Sequence, residues 1–394
     1  MCKKWMQAIL LLCATAWVPV ANAFVGLCCG KCGGNMPMNI PGGGIPETQE
    51  FRFKFSTMLM QMEGLARDGE GRSAASQLGM PMMMGSPTGK FMAVPTSMDM
   101  RMLNFTLGYS FSERLFGGAM FMHKNNRMAM KFSDMMSMPI SMGGTGEAGF
   151  TMKSSGVADT MLMGKYRLFA DDPLMPSRQA SLFFGLSLPT GSIDEVNSDH
   201  PLAMRQRELL PYSMQLGSGS YDPTIGILYQ RSTSPYWWGI NAMYTARLHD
   251  NDRGYRLGDE ARVDLYGMYQ FRSNLLVQLQ LNIEHKDKIS GQMDAVLSGA
   301  SGHVTQGDAG SPFTTPMYDA DNYGGQKVLA TVGLQWQPMP LNIIDINLGL
   351  PVYQNLNGLQ LEEEFRVMLT WYRELPTKKS IRFQPRGKEG ALGF

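Results

Sequence analysis

The chain has 394 residues, with 35 Lys+Arg against 34 Asp+Glu, and its net charge of +1 leaves no basic field for nucleic acid. Its 44 Gly and 22 Pro, with alternating segments between them, suit an all-β protein. After the first residues no stretch offers the ~20 consecutive apolar residues of a membrane helix, which excludes a helical membrane protein.

The chain opens as a secretory leader. Lys3 and Lys4 form a basic region, Ala8 to Ala16 an apolar one, and Ala21-Asn22-Ala23 a cleavage site, so 1–23 is expected to be removed on export. Segment 24–50 is an arm rich in Cys, Met and Gly. In it, Cys28-Cys29-Gly30-Lys31-Cys32 runs on to Met36 and Met38. Three mature Cys are an odd number for an oxidising compartment. Two readings stay open: a Cys28–Cys32 or Cys29–Cys32 disulfide, or a Cu(I) site of thiolates with Met36 and Met38. The His that would follow in a c-type haem motif is absent.

Twelve strand-like segments follow: 51–62, 98–109, 115–124, 158–168, 179–188, 222–230, 237–247, 260–271, 274–285, 326–336, 341–350 and 361–372. Each is near the ~9–11 residues of a tilted membrane strand. Leu275, Val277, Leu279, Leu281 and Ile283 alternate with Gln278, Gln280, Asn282 and Glu284; Phe365, Val367, Leu369 and Trp371 alternate with Glu364, Arg366 and Thr370. Asp264, Glu284, Asp345 and Glu364 are expected to pair with Arg262 and Arg366 on the wet face. Connections alternate short and long, the long ones at 63–97, 125–157, 189–221 and 286–325. Short turns on one side and long loops on the other are the signature of a bacterial outer-membrane barrel. The expected fold is therefore an all-β transmembrane antiparallel β-barrel of about 12 strands over 51–372, with long extracellular loops and a periplasmic tail at 373–394. Trp238, Tyr269, Trp336 and Trp371 are expected at the membrane interface. A secreted β-sandwich is the alternative.

The methionines keep step with the strands. Of 35 Met, 24 fall between Met36 and Met163. Met58, Met60 and Met62, then Met98, Met100 and Met102, then Met120 and Met122, then Met161 and Met163 recur at a spacing of two, which puts each set on one face. Phe51, Phe53, Phe55, Leu59, Leu103, Phe105 and Leu107 take the opposite face, while Arg52, Lys54, Asn104 and Lys124 share the Met face and mark it as wet. Four successive strands are thus expected to line one side of the lumen with thioethers toward the outer mouth, with His123 at the base of the loop after the third. Soft neutral sulfur donors suit Cu(I). Adaptable packing is the other reading of a Met-rich surface.

Turn and loop segments carry a resemblance. Phe91-Met92-Ala93-Val94-Pro95-Thr96-Ser97-Met98-Asp99-Met100, Leu186-Ser187-Leu188-Pro189-Thr190-Gly191, Met214-Gln215-Leu216-Gly217-Ser218-Gly219, Arg253-Gly254-Tyr255-Arg256 and Gly349-Leu350-Pro351-Val352-Tyr353-Gln354 are similar to the outer-membrane transporter family grouped with the MetA pathway of phenol degradation. The resemblance spans about 45–372 and implies an outer-membrane barrel with a transport role and no catalytic residues.

No nucleophile elbow, P-loop or HExxH stands in a supporting context, so an enzyme is not expected. The expected function is binding and passage of copper as Cu(I) along a methionine-lined lumen. Its partners would be outer-membrane lipid, the transported solute or metal ion, and a periplasmic metal carrier, with no nucleic acid. The alternative is a channel for small aromatic or hydrophobic molecules, or a structural barrel.

Overall fold

In the computed structural model, which describes residues 36–40, 49–83, 86–171, 176–293 and 313–380, twelve antiparallel strands close into a barrel. They are β1 Glu50–Arg67, β2 Ala93–Ser110, β3 Leu115–Phe132, β4 Thr160–Ala170, β5 Arg178–Leu188 and β6 Asp222–Thr233. The second half comprises β7 Tyr236–Thr245, β8 Glu260–Arg272, β9 Leu275–Lys286, β10 Gly325–Met339, β11 Asn342–Leu356 and β12 Leu359–Pro376. Each strand pairs with the next, and β12 returns to β1 from Glu50↔Pro376 to Arg67↔Leu359. Closure leaves no open edge, so every strand can satisfy its backbone groups inside a bilayer. All twelve expected segments are strands. The leader, Cys28, Cys29, Cys32 and the tail from 381 lie outside the described residues.

The outer face explains the fold's setting. Leu103, Phe105 and Leu107 on β2, Ile225 and Ile227 on β6, and Val277, Leu279, Leu281 and Ile283 on β9 are all exposed. An apolar belt of this kind faces lipid rather than water. At the end bearing the short turns it finishes in an aromatic girdle, with Phe51 against Tyr109 at 4.7 Å and Tyr236 against Tyr269 at 5.1 Å. Trp238, Trp336 and Trp371 stand outward at the same end, as expected of interfacial rings.

Several strands outrun their expected limits. β1 reaches Arg67, β2 begins at Ala93, and β3 continues to Phe132. Beyond Phe121, the outward side of β3 carries His123, Asn125, Arg127 and Lys131, while Met128, Met130 and Phe132 stay buried inside. The ladder therefore projects past the lipid belt, and its outward face turns polar there. An outer segment, Gly149–Val157, completes this rim by pairing with β3 from Lys131↔Gly149 to His123↔Val157 before the chain enters β4. At the far end β12 passes the expected boundary at Tyr372 and runs to Pro376.

The lumen is filled from both ends. Met36, Met38 and Ile40 are fully buried against Leu228, Trp237, Tyr266, Met268, Leu276, Ile343 and Tyr372 in its inner half. At the outer end the connections fold inward into a cap whose core is Leu209, Tyr212, Tyr255, Ile289, Met293 and Tyr318. The cap is pinned by polar contacts: Asp159 accepts from Gly191 N and Ser218 N, at 3.0 and 2.7 Å, and Lys124 Nζ donates to Leu216 O at 3.1 Å. Between β11 and β12 the chain reverses at Asn357-Gly358, where Gly358 has φ +59 and a Cβ would stand 2.0 Å from Asn322 Oδ1, so only glycine fits.

Candidate transport cavity

Between the buried inner segment and the cap lies a cavity of about 460 Å3. Met62, Met98, Met100, Met122, Met128 and Met317 line it, and parity along each strand decides which further side chains face the lumen. On β1, Met58, Met60 and Met62 point inward while Phe55 and Leu59 point out. On β2, Met98, Met100 and Met102 do the same, and the register sets Met58 opposite Met102, Met60 opposite Met100 and Met62 opposite Met98. Met120 and Met122 share the inward face of β3 with Lys124, and Met120 stands opposite Met161 of β4, whose next inward residue is Met163. Directly opposed residues have Cβ atoms only ~4.5–5.5 Å apart, so Met58/Met102, Met60/Met100, Met62/Met98 and Met120/Met161 are in contact range, while between β2 and β3 Met102 stands opposite Lys124 and Met122 opposite Asn104.

The adjoining wall, from β12 round to β8, carries charge. Glu363 of β12 accepts from Lys327 Nζ at 2.7 Å and from Arg366 Nε at 2.9 Å. Arg366 also reaches Glu284 at 3.2 Å, and Lys286 reaches Glu260 at 2.8 Å. Arg262 joins Asp264 at 2.8 Å and approaches Glu284 at 3.8 Å. Each ion therefore has a partner, and the ladder spans β8 to β12 across strand boundaries. The expected acid at 364 does not take part. A register shift between Gln61/Met62 on β1 falls opposite this point, so Met62 meets Glu363 while Phe365 meets Gln61. Glu364 consequently faces outward and Glu363 occupies the lumen.

Asp345 also departs from its expected pairing with arginine. It accepts from Met38 N at 3.2 Å, from Gln335 Nε2 at 2.8 Å and from Gln278 Nε2 at 3.2 Å. Gln335 Nε2 further donates to Met36 O at 3.0 Å, and Asn39 exchanges side-chain hydrogen bonds with Gln280 at 2.9 and 3.0 Å. Lys54 Nζ donates to Met38 O. The segment 36–40 is therefore tied to β1, β9, β10 and β11 at once. On β9 it meets Leu276 and Gln280, whereas Glu284 and Lys286, farther toward the outer mouth, line the cavity. It occupies part of the lumen beneath the cavity.

The structure thus gathers Met58, Met60, Met62, Met98, Met100, Met102, Met120, Met122, Met161 and Met163 on one side of the lumen. Met36 and Met38 lie apart from them, among aromatic and aliphatic side chains of the inner half. His123 is not brought to the thioethers. It follows Met122, so strand parity turns it outward, exposed opposite Leu103 and Val157 at the upper edge of the lipid belt. Among the described residues no group of three or more His, Cys, Asp or Glu is placed to hold a metal ion.

Sequence reasoning left out part of the lining. Met128 and Met130 were expected in a loop but continue the inward face of β3, and Met152 joins them from the Gly149–Val157 segment. The signal was present, since Lys124, Asn126, Met128 and Met130 keep the two-residue step. It was obscured because the alternate positions lose their apolar character above the lipid belt. Met214 and Met317, supplied by short 3-10 turns of the cap at Tyr212–Met214 and Pro316–Tyr318, carried no periodic signal.

One histidine stands inside the cap. His200 packs edge-on against Phe150 at 4.7 Å and Phe132 at 6.0 Å, and its Nδ1 accepts from Leu202 N at 3.1 Å. Burial, with Arg205 nearby, pushes its pKa down to about 4, so the ring is neutral near pH 7.

No protein-family model and no curated protein matches the chain. Among solved structures, an outer-membrane channel from Pseudomonas putida F1 aligns over 85% of this chain and 99% of its own, with a TM-score of 0.51 and 14% identity. A FadL homologue from Pseudomonas aeruginosa aligns over 90% and 98% of the two chains, with a TM-score of 0.38 and 10% identity. The toluene transporter TodX of P. putida aligns over 84% and 91%, with a TM-score of 0.37 and 8% identity. At the identity of the first match, the likeness is one of fold. The closed twelve-strand ladder and its apolar belt make this chain a bacterial outer-membrane β-barrel.

Proposed function

We propose that the barrel is an outer-membrane channel, not an enzyme, and that it admits small hydrophobic or aromatic molecules carrying a polar group. The observation that carries this reading is the cavity itself. Its volume of about 460 Å3 suits a small organic solute. One wall is built of unbranched thioethers, which adapt to varied apolar shapes. The adjoining wall, where Glu363 stands beside Met62, offers paired ions that would orient a hydroxyl or carboxylate. Passage would require the segment Met36–Ile40 to leave the inner half of the lumen.

The test is equilibrium binding of phenol and of benzoate to the purified barrel, with sucrose as control, paired with proteoliposome uptake of labelled benzoate. Binding of the aromatics, abolished by Met100→Trp, which fills the cavity, is the expected result. Aromatics that bind and pass no better than sucrose would end this reading.

Passage of Cu(I) is the second reading, favoured by the facing pairs Met58/Met102, Met60/Met100 and Met120/Met161. Neutral sulfurs on neighbouring strands give a soft ion stepwise ligands, with Cys28, Cys29 and Cys32 outside the described residues as candidates for exchange with a periplasmic carrier. Copper accumulation that collapses in Met58/Met60/Met100/Met102→Leu, with aromatic uptake intact, would favour it.

A further inference from the structure

The outer rim of the barrel meets the cap through methionine on both sides. Met98 on β2, Met128 on β3 and Met152 on the Gly149–Val157 segment stand in one cross-strand row, Met98 opposite Met128 and Met128 opposite Met152. Met214 and Met317 descend onto that row from the two cap turns. All five are at most 6% exposed, and they share one cluster with Leu210 and Met130. A core that needed only apolar volume would be better specified by Leu, Ile or Phe, because Met retains more conformers and packs less uniquely. Here Met occupies five neighbouring positions drawn from five separate segments of the chain.

The electrostatic setting selects the class of ligand. The donors of the cluster are thioethers, neutral and soft, while carboxylates such as Asp159 and Glu363 line the adjoining cavity. Such a set disfavours a divalent hard ion, which would ask for carboxylate, imidazole or thiolate. It suits a soft monovalent cation, whose desolvation cost is smaller and whose bonds to thioether sulfur are favourable. Strands in the row lie ~4.8 Å apart, and each flexible side chain can turn its sulfur toward a common point. An approach route exists, since Met98, Met128 and Met317 also line the open cavity.

We propose that Met98, Met128 and Met152 of the rim, with Met214 and Met317 of the cap, form a thioether site for Cu(I) or its surrogate Ag(I), and that the bound ion fastens the two cap turns to the barrel. This site adjoins the pair Met60/Met100, whose Met100 packs against it, and does not depend on which solute the channel carries. The ion acts as a latch on the outer mouth: its ligands come from both the fixed wall and the cap, so binding favours the docked cap over any conformation in which those turns lift away.

The experiment uses the full barrel in a Cys28→Ser, Cys29→Ser, Cys32→Ser background, so that thiolates do not take the ion. Its methionine methyl groups are labelled for NMR, and Ag(I) is added in the presence of a competing chelator. The expected result is that the methyls of Met98, Met128, Met152, Met214 and Met317 shift together. Protease cleavage in 189–221 should slow at the same Ag(I) concentration. A Met214→Leu, Met317→Leu variant keeps apolar volume and should weaken this phase by roughly tenfold or more, with the protection lost. If Ag(I) shifts only other methyls, or protects the cap equally in the double variant, the proposal is overturned. The methyl spectrum of the unsubstituted Met set decides the matter even if the variant does not fold.

Discussion

On β1 to β4 the inward positions hold thioethers, whereas on β8 to β12 positions at a similar height hold carboxylates, ammonium and guanidinium groups. Both walls line one cavity, yet different forces keep them in place. The methionine wall is held by dispersion and apolar burial, which tolerate exchange among side chains of similar volume. The charged wall is a network in which each ion compensates another, and removing one strands its partners in a poorly solvated lumen. One side can therefore adapt to a guest, while the other keeps a fixed pattern of charge.

The largest expected effect comes from breaking the rigid side. Glu363→Leu would leave Lys327 without its 2.7 Å partner and Arg366 without its 2.9 Å partner, at a cost of about 3 kcal/mol or more. The measurement is urea-dependent unfolding in lipid vesicles followed by gel migration without heating. A cost near zero would show that water screens this wall.

Next is the junction where the inner segment spans both walls. Asp345→Ala removes the acceptor used by Met38 N, Gln335 and Gln278 and leaves buried donors unsatisfied, costing about 2 kcal/mol. Because Met36–Ile40 is tied through Asp345, single-channel conductance in planar bilayers should rise in this variant. Unchanged conductance would mean that the apolar contacts of Met36 and Ile40 suffice to keep the segment in place.

A third prediction concerns the cap over the methionine side. The folded pKa of His200, about 4, lies below the ordinary 6.5. The undocked cap therefore takes up a proton first as the pH falls. Docking is undiminished above 6.5 and weakens through the window from 6.5 down to 4, by about 2 kcal/mol at pH ~5. Protease sensitivity of 189–221 should rise across that window in the native protein, and His200→Phe should flatten the response. An unaltered pH profile in that variant would remove His200 as the cause.

The smallest effect belongs to the adaptable wall. Met60→Leu with Met100→Leu conserves volume at a directly opposed pair and should cost less than ~1.5 kcal/mol in the same unfolding assay. A loss as large as that of Glu363→Leu would erase the contrast between the two walls.

The twelve strands, the outward aromatic girdle and the inward methionine rows of β1 to β4 were determined by the sequence alone, because all three are written in a period of two that local geometry converts directly into faces. Strand ends were legible only as far as the lipid belt. Past Phe121 the outward positions become polar, and the alternation disappears although the hydrogen-bonded ladder continues to Phe132. His123 was placed by its neighbours in sequence and displaced by parity. Glu363 replaced Glu364 because a register shift across the closure of β1 and β12 decided the side, and closure is a contact between the two ends of the barrel. Tertiary structure alone lodged Met36–Ile40 against Asp345 and Lys54, and it alone lowered Met214 and Met317 onto the rim. Those contacts join residues far apart in the chain, and no local periodicity encodes which distant wall a short segment will meet.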